Sequence, residues 1–231
     1  MEDGNLIKAE KFYEKEMFDS ALELYLKEFP NLDNEKKIEV AKKIAECYLY
    51  KEKPDVEKAL EYENIVLNGL KDKDLLREKI FYSTILSERD PEKAKSIILE
   101  IKDEAEKNGY KDILPEIYNS IGLMLWNTKE SEEYFIKAMN LSAENHDLEN
   151  YITAIQNLAY MEAERGNRLK AMELLQKAID TIENENEKLP KTKRKSFKES
   201  YSDLYDQAAN LAMDMEDFDL AMEISEKSSK Y

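Results

Sequence analysis

Glycine and proline are scarce in this 231-residue chain, with five of each. Turn-rich β architectures depend on both, so an all-β fold is excluded. Cysteine is rarer still. Cys47 stands alone, so no internal disulfide can form. It follows the apolar spacing around Ile44 and Tyr48, and it is expected to be a small buried hydrophobe with no reactive role. There is one histidine, His146, in the polar stretch AENHDLEN, which reads as a solvated loop. One His and one Cys cannot supply a zinc site or a His-based triad. The glycines are scattered (Gly4, Gly69, Gly109, Gly122 and Gly166), so no phosphate-cradling Gly loop can be assembled. The longest apolar run, around Ile121 to Trp126, is far too short to span a bilayer. The opening MEDGNLIKAEKFYEKEMF carries charge throughout, unlike a secretory signal. These absences lead us to expect a cytoplasmic protein that is not an enzyme, with no catalytic residues, no metal, no cofactor and no membrane association.

What the chain does have is charge. Lys and Arg total 35 against 51 Asp and Glu, a net −16. Such a body repels nucleic-acid phosphate and suits a basic partner surface. The acids themselves give no catalytic signal. Pairs such as Glu132-Glu133 and Asp203-Asp206 read as solvated helix faces. The string from Asp214 to Asp219 lacks the Gly and the terminal bidentate Glu of a calcium loop. One basic run, Lys191, Lys193, Arg194, Lys195 and Lys198, reads as an exposed helix start that balances nearby acids; the alternatives are a localisation signal, a nucleic-acid patch or a phosphate contact.

The hydrophobic pattern is helical and repeats. In Tyr151 to Asp180, Ile155, Leu158 and Ala159 share one helical face. Gly166-Asn167 then interrupt, and Ala171, Leu175 and Ala178 share a second face. Two amphipathic helices joined by a short Gly turn make a helical hairpin. The small residues Ala159 and Ala171 allow two helix backbones to approach closely, while Leu158 and Leu175 fill the space beside them.

This order of large, small, turn, small, large, small resembles the tetratricopeptide repeat. The same order returns with Ala9, Phe12, Phe18, Ala21 and Tyr25, where Glu16 takes the place of the turn Gly. It returns with Ala41, Ala45, Tyr48, Ala59, Tyr62 and Val66, and with Tyr82, Ile85, Asp90, Pro91, Ala94, Ile98 and Ile101. Further units use Tyr118, Ile121, Gly122, Leu125, Ser131, Phe135 and Ala138, then Tyr205, Ala208, Ala209, Ala212, Phe218 and Ala221. The successive anchors Ala21, Ala59, Ala94, Ser131, Ala171 and Ala221 are spaced more widely than the shortest period of about 34 residues. In this they are similar to extended repeats such as those of the kinesin light chain. The resemblance implies an all-α fold: an α-solenoid of about six antiparallel helix pairs in a right-handed superhelix, one continuous domain over 1–231. An additional terminal helix is allowed for. Glu183 to Pro190 is read as a loop, followed by one long helix to Met215.

The resemblance also implies a site. First helices of tetratricopeptide pairs line a concave face that binds peptides or proteins. Here that face would carry Thr153, Gln156, Asn157, Tyr160 and Glu164; Glu116, Asn119, Ser120 and Leu123; and Asp203, Asp206, Gln207 and Asn210. An Asn amide offers both a donor and an acceptor, so Asn157 and Asn119 could pair with any peptide backbone. A carboxylate clamp of the chaperone-binding kind is not expected, because Glu46 stands near Lys42 and Lys43 where the clamp needs Asn. The expected function is a protein- or peptide-binding adaptor whose partner segment is basic or amphipathic. The alternative is a structural subunit that self-associates, for example as a homodimer, through a convex or terminal surface bearing Met213, Met215, Met222 and Ile224, although SEKSSKY reads as a polar cap. Peptide-sensing regulators with similar repeats usually add a helix-turn-helix reader, and none is evident at Met1 to Phe29.

Overall fold

The computed structural model describes residues 2–229, with side chains from residue 4. Lys230 and Tyr231, the last of the polar SEKSSKY end, lie outside the described residues. Every regular element described is helical. Contacts gather into two compact units, one ending at Ile113 and one beginning at Leu114.

The first unit holds three antiparallel pairs: α1 (Glu2–Tyr13) with α2 (Phe18–Glu28), α3 (Asn34–Tyr50) with α4 (Val56–Gly69), and α5 (Asp72–Ser87) with α6 (Pro91–Asn108). A 3-10 turn at Phe29–Asn31 follows α2. The second unit pairs α7 (Leu114–Met124) with α8 (Lys129–Asn145), α9 (Leu148–Glu164) with α10 (Arg168–Lys188), and α12 (Ser202–Asp214) with α13 (Phe218–Ser229). Residues 2–28 thus form a repeat pair.

Five of these six pairs close on small residues. Ala9 and Ala21, Ala45 and Ala59, Ala159 and Ala171, and Ala212 and Ala221 are all buried. In the α7/α8 pair the small residues are Gly122 and Ser131, and the Ser131 hydroxyl donates to the Gly122 carbonyl at 2.7 Å. Only small side chains allow such approach, so the alternation of Ala with Ile, Leu and Tyr fixes the pairing.

The turns repeat as well. Gly166, Glu16 and Glu216 all adopt positive φ (82°, 58° and 61°) between the helices of their pairs. In each case the next amide reaches back five residues: Asn167 N–H to Glu162 O, Met17 N–H to Phe12 O, and Asp217 N–H to Ala212 O, at 2.8–3.0 Å. This left-handed cap satisfies carbonyls left open at the end of the first helix. Glutamate at two of the three positions accepts a backbone conformation that glycine adopts freely. At five other helix starts, Asp33, Asp55, Asp90, Thr128 and Asp147 accept backbone N–H bonds as N-caps.

Two expectations fail between α10 and α12. The acidic stretch Glu183 to Glu187 is the last part of α10, with no loop before Lys188. The long helix is broken in two, giving α11 (Lys191–Glu199) and α12, with a bend at Ser200–Tyr201. The extra helix is therefore inserted before the last pair and is not terminal. Lys198 is enclosed beside the break. Its side chain is buried, its Nζ lies 2.8 Å from Glu183 Oε1, and it donates to the Lys227 carbonyl. The Tyr205 ring lies 5.5 Å away, and the Tyr205 hydroxyl donates to the same Glu183 carboxylate at 2.6 Å. One ammonium thus ties α10, α11, α12 and α13 together. Arg194 caps α10 by donating to the Leu189 and Glu187 carbonyls at 3.0 and 2.8 Å. The basic run is accordingly partly internal glue.

A buried polar cluster marks the first unit. Glu63 on α4 is 0% exposed, and among the described residues no N–H or hydroxyl donor reaches its carboxylate oxygens. Glu78 on α5 is also buried and accepts from Lys42 of α3 at 2.7 Å. Burial, and then the charge on Glu78, push the Glu63 carboxyl up to about 8.

Candidate functional site

The first helices of the second unit, α7, α9 and α12, are neighbours. α7 packs on α9. Gln207 on α12 donates to the Gln156 carbonyl of α9 at 3.3 Å. Ile152, Ile155, Leu204, Tyr205 and Ala208 share one core cluster behind them.

On α9 the buried positions are Ile152, Ala154, Ile155, Leu158, Ala159, Met161 and Glu162. That leaves Thr153, Gln156, Asn157, Tyr160 and Glu164 on the opposite stripe, at helical spacing. Thr153 and Gln156 are half-buried, and the Thr153 hydroxyl donates to the Glu149 carbonyl at 3.0 Å. Tyr160 is 53% exposed. Asn157 is half-buried, and its amide nitrogen is enclosed without an acceptor. Such an unmet donor costs about 1–3 kcal/mol. Glu164 is exposed, and its Oε2 accepts from Trp126 Nε1 at 2.9 Å and from Asn127 Nδ2 at 3.4 Å. On α12, Asp203, Asp206 and Asn210 are exposed along one face and Gln207 is half-buried.

On α7 the stripe is narrower. Leu123 is exposed, and Glu116 and Ser120 are half-buried. Asn119 departs from the groove-facing expectation. It is 4% exposed and donates to the backbone oxygen and Oδ1 of Asn150 at 3.3 and 3.4 Å. The reason is packing. α7 contacts both α8 and α9, so Pro115, Asn119 and Gly122 are covered together with Leu114, Ile117 and Ile121.

The structure also brings in residues that offset counting missed. Trp126 and Asn127 follow α7 and lie against Glu164. Trp126 stands one turn beyond Leu123, which is the signal that could have found it. Met213 extends the exposed face of α12.

The composition of these helices is one-sided. α7, α9 and α12 contain no lysine or arginine, while Glu116, Glu149, Glu164, Asp203 and Asp206 lie along them. The lysines and arginines of this unit's helices sit on α8, α10, α11 and α13. In the first unit the corresponding helices are bonded to one another. Lys43 pairs with Glu10, the Tyr13 hydroxyl donates to Glu46, and Lys42 pairs with Glu78. Lys42 and Lys43 are thus engaged within the chain.

The terminal surface differs from expectation in part. Met213, Phe218 and Met222 are exposed around a shallow depression that also includes Asp206, Asn210 and Ser225. Ile224 is buried core and Met215 is half-buried. Among the described residues no cluster of His, Cys, Asp and Glu could hold a metal, and no helix is long and apolar enough to cross a membrane.

No family model and no curated protein matches the chain. Solved structures do. A Rap protein complexed with competence and sporulation factor superposes with a TM-score of 0.61 at 17% identity, over 97% of this chain and 75% of that one. The Rap conjugation gene regulator of plasmid pLS20, in complex with a Phr peptide, gives 0.61 at 15% identity, over 97% and 73%. A signal-transduction ATPase with a tetratricopeptide repeat sensor, from Pyrococcus horikoshii, gives 0.55 at 14% identity, over 97% and 41%. Together with the small-residue pairs and repeated turns, these likenesses show that the chain has the tetratricopeptide-like helical-repeat fold.

Proposed function

We propose that the chain binds a basic or amphipathic peptide segment of a partner protein on the face formed by α7, α9 and α12, with no chemistry on the ligand. The observation that carries this reading is the complete lack of lysine and arginine on those three helices. In a chain with 35 such residues, three neighbouring helices that bear acids and no cation invite positive charge. The peptide-bound state of one similar structure supports the same reading. Thr153, Gln156, Asn157, Tyr160, Glu164, Ser120, Leu123, Asp206 and Asn210 are the proposed contact residues. Asn119 is left out because Asn150 holds it.

A random-sequence peptide array probed with the purified chain tests this. Captured peptides should carry net positive charge and release as salt rises. A Tyr160→Ala/Asn210→Ala variant that keeps its helical circular dichroism should lose them. Capture of neutral or acidic peptides, or equal capture by the variant, overturns the reading. The exposed Met213, Phe218 and Met222 support a second reading, self-association through the end of the last pair. Light scattering would then give a dimer mass that Met222→Glu reduces to monomer.

A further inference from the structure

Trp126 and Tyr160 present a pair of aromatic faces beside a carboxylate. Their ring centroids are 5.5 Å apart at an interplanar angle of 51°. Phe135, fully buried, backs the indole edge-on at 6.0 Å. Glu164 Oε2 holds the indole N–H, so the ring is fixed in place. Among the described residues no hydrogen bond reaches Glu164 Oε1. Leu123, half exposed, adds an aliphatic shoulder one turn before Trp126.

Several other aromatic rings of this chain lie under its own lysines. Lys43 lies over Tyr13, Lys51 over Tyr48, Lys137 over Tyr134, Lys177 over Tyr151 and Lys198 over Tyr205, at 4.9–5.9 Å from the ring centroids. Among the described residues no lysine or arginine lies over Trp126 or Tyr160. The nearest arginine in sequence, Arg165, is engaged by Glu132 at 2.7 Å and Glu162 at 3.6 Å. An aromatic pair with a fixed carboxylate and no internal cation is a receptor for an external one.

We infer that Trp126, Tyr160 and Glu164 form a cradle for an arginine side chain of the bound segment. The planar guanidinium stacks on the rings and donates to Glu164 Oε1, and its methylene stem lies along Leu123. Arginine fits better than lysine because a flat, weakly hydrated cation can stack and hydrogen-bond at once. The inference rests on the α7–α9–α12 face being the binding surface and names what that face selects.

Trp126 is the sole tryptophan, so its indole N–H resonance reports this spot alone. The probes are three octapeptides of Gly and Ser with one central arginine, lysine or citrulline; citrulline is the neutral isostere of arginine. Titrating the arginine peptide should shift the indole resonance saturably, with lysine weaker and citrulline needing about tenfold more peptide. Tyr160→Leu should weaken the arginine peptide about threefold to tenfold without changing the citrulline peptide, while Tyr160→Phe should bind as the unmodified chain does. Equal shifts by arginine and citrulline, or no loss in Tyr160→Leu, overturn the cradle. Peptides that move the Asn157 and Asn210 amides but not the indole also overturn it, while leaving the binding face standing. Peptides that move none of these overturn both.

Discussion

Replacing Glu63 by glutamine should stabilise the protein, and increasingly so as pH rises. Glu63 is wholly enclosed between α3, α4 and α5, and its carboxyl is raised from 4.5 to about 8, first by burial and then by the charge on Glu78; Glu46 adds to this and Lys42 opposes it. At neutral pH the fold therefore keeps a proton that the unfolded chain releases. Stability falls wherever the folded state binds more protons than the unfolded one. The contribution is intact below the unfolded value of 4.5 and is lost progressively as pH climbs towards 8. At pH 7 the cost is about 3 kcal/mol, from roughly 1.4 kcal/mol per pH unit over the interval above the ordinary value. Glutamine keeps the shape of the neutral carboxyl and has no proton to lose. Urea denaturation followed by far-UV circular dichroism, on both chains between about pH 5 and pH 8, isolates the effect as a difference. The variant should lie within about 1 kcal/mol of the unmodified chain near pH 5 and exceed it by about 3 kcal/mol at pH 7. A difference that stays flat across the range would mean that Glu63 is charged in the fold, and the argument from its enclosure would be wrong.

Three further outcomes follow from the packing. Gly122→Ala should cost about 1–3 kcal/mol in thermal or urea melts, because its Cβ would lie 2.4 Å from the ring of fully buried Phe135. Gly69→Ala, whose Cβ would lie 2.2 and 2.6 Å from Cδ1 and Cγ1 of half-buried Ile38, a side chain freer to shift than Phe135, should cost less, about 1 kcal/mol or under; equal losses at both sites would refute the distinction. Burial pushes the Cys47 thiol up to about 12, so Ellman's reagent at neutral pH should label it only after unfolding, and rapid labelling of the native chain would contradict its enclosure. Lys198→Met should destabilise by about 2–4 kcal/mol, since it strands the partly covered Glu183 carboxylate and the Lys227 carbonyl; an unchanged melting curve would show that the ammonium ties nothing together.

Much of this fold is legible because helix pairing imposes local rules. A backbone contact needs Ala, Gly or Ser at the crossing, so Ala9 with Ala21 and Ala159 with Ala171 announce themselves in sequence. The turn between them has a fixed backbone form, and Glu16 takes there the positive φ that Gly166 takes in its own pair. What stayed hidden depends on neighbours distant in sequence. Lys198 reads as one more solvated cation of a basic run until Glu183 and Lys227 from other helices enclose it. Glu63, in the polar string EYEN, reads as surface for the same reason. The site follows the same division. On α9 the stripe from Thr153 to Glu164 stays half-buried or exposed, whereas Asn119 of α7 is buried where Asn150 of α9 meets it. Counting offsets along one helix assumes a constant exposed arc. The arc in fact depends on where each neighbour crosses, and the polar residues at its margin become contacts between helices, as Asn119 is to Asn150.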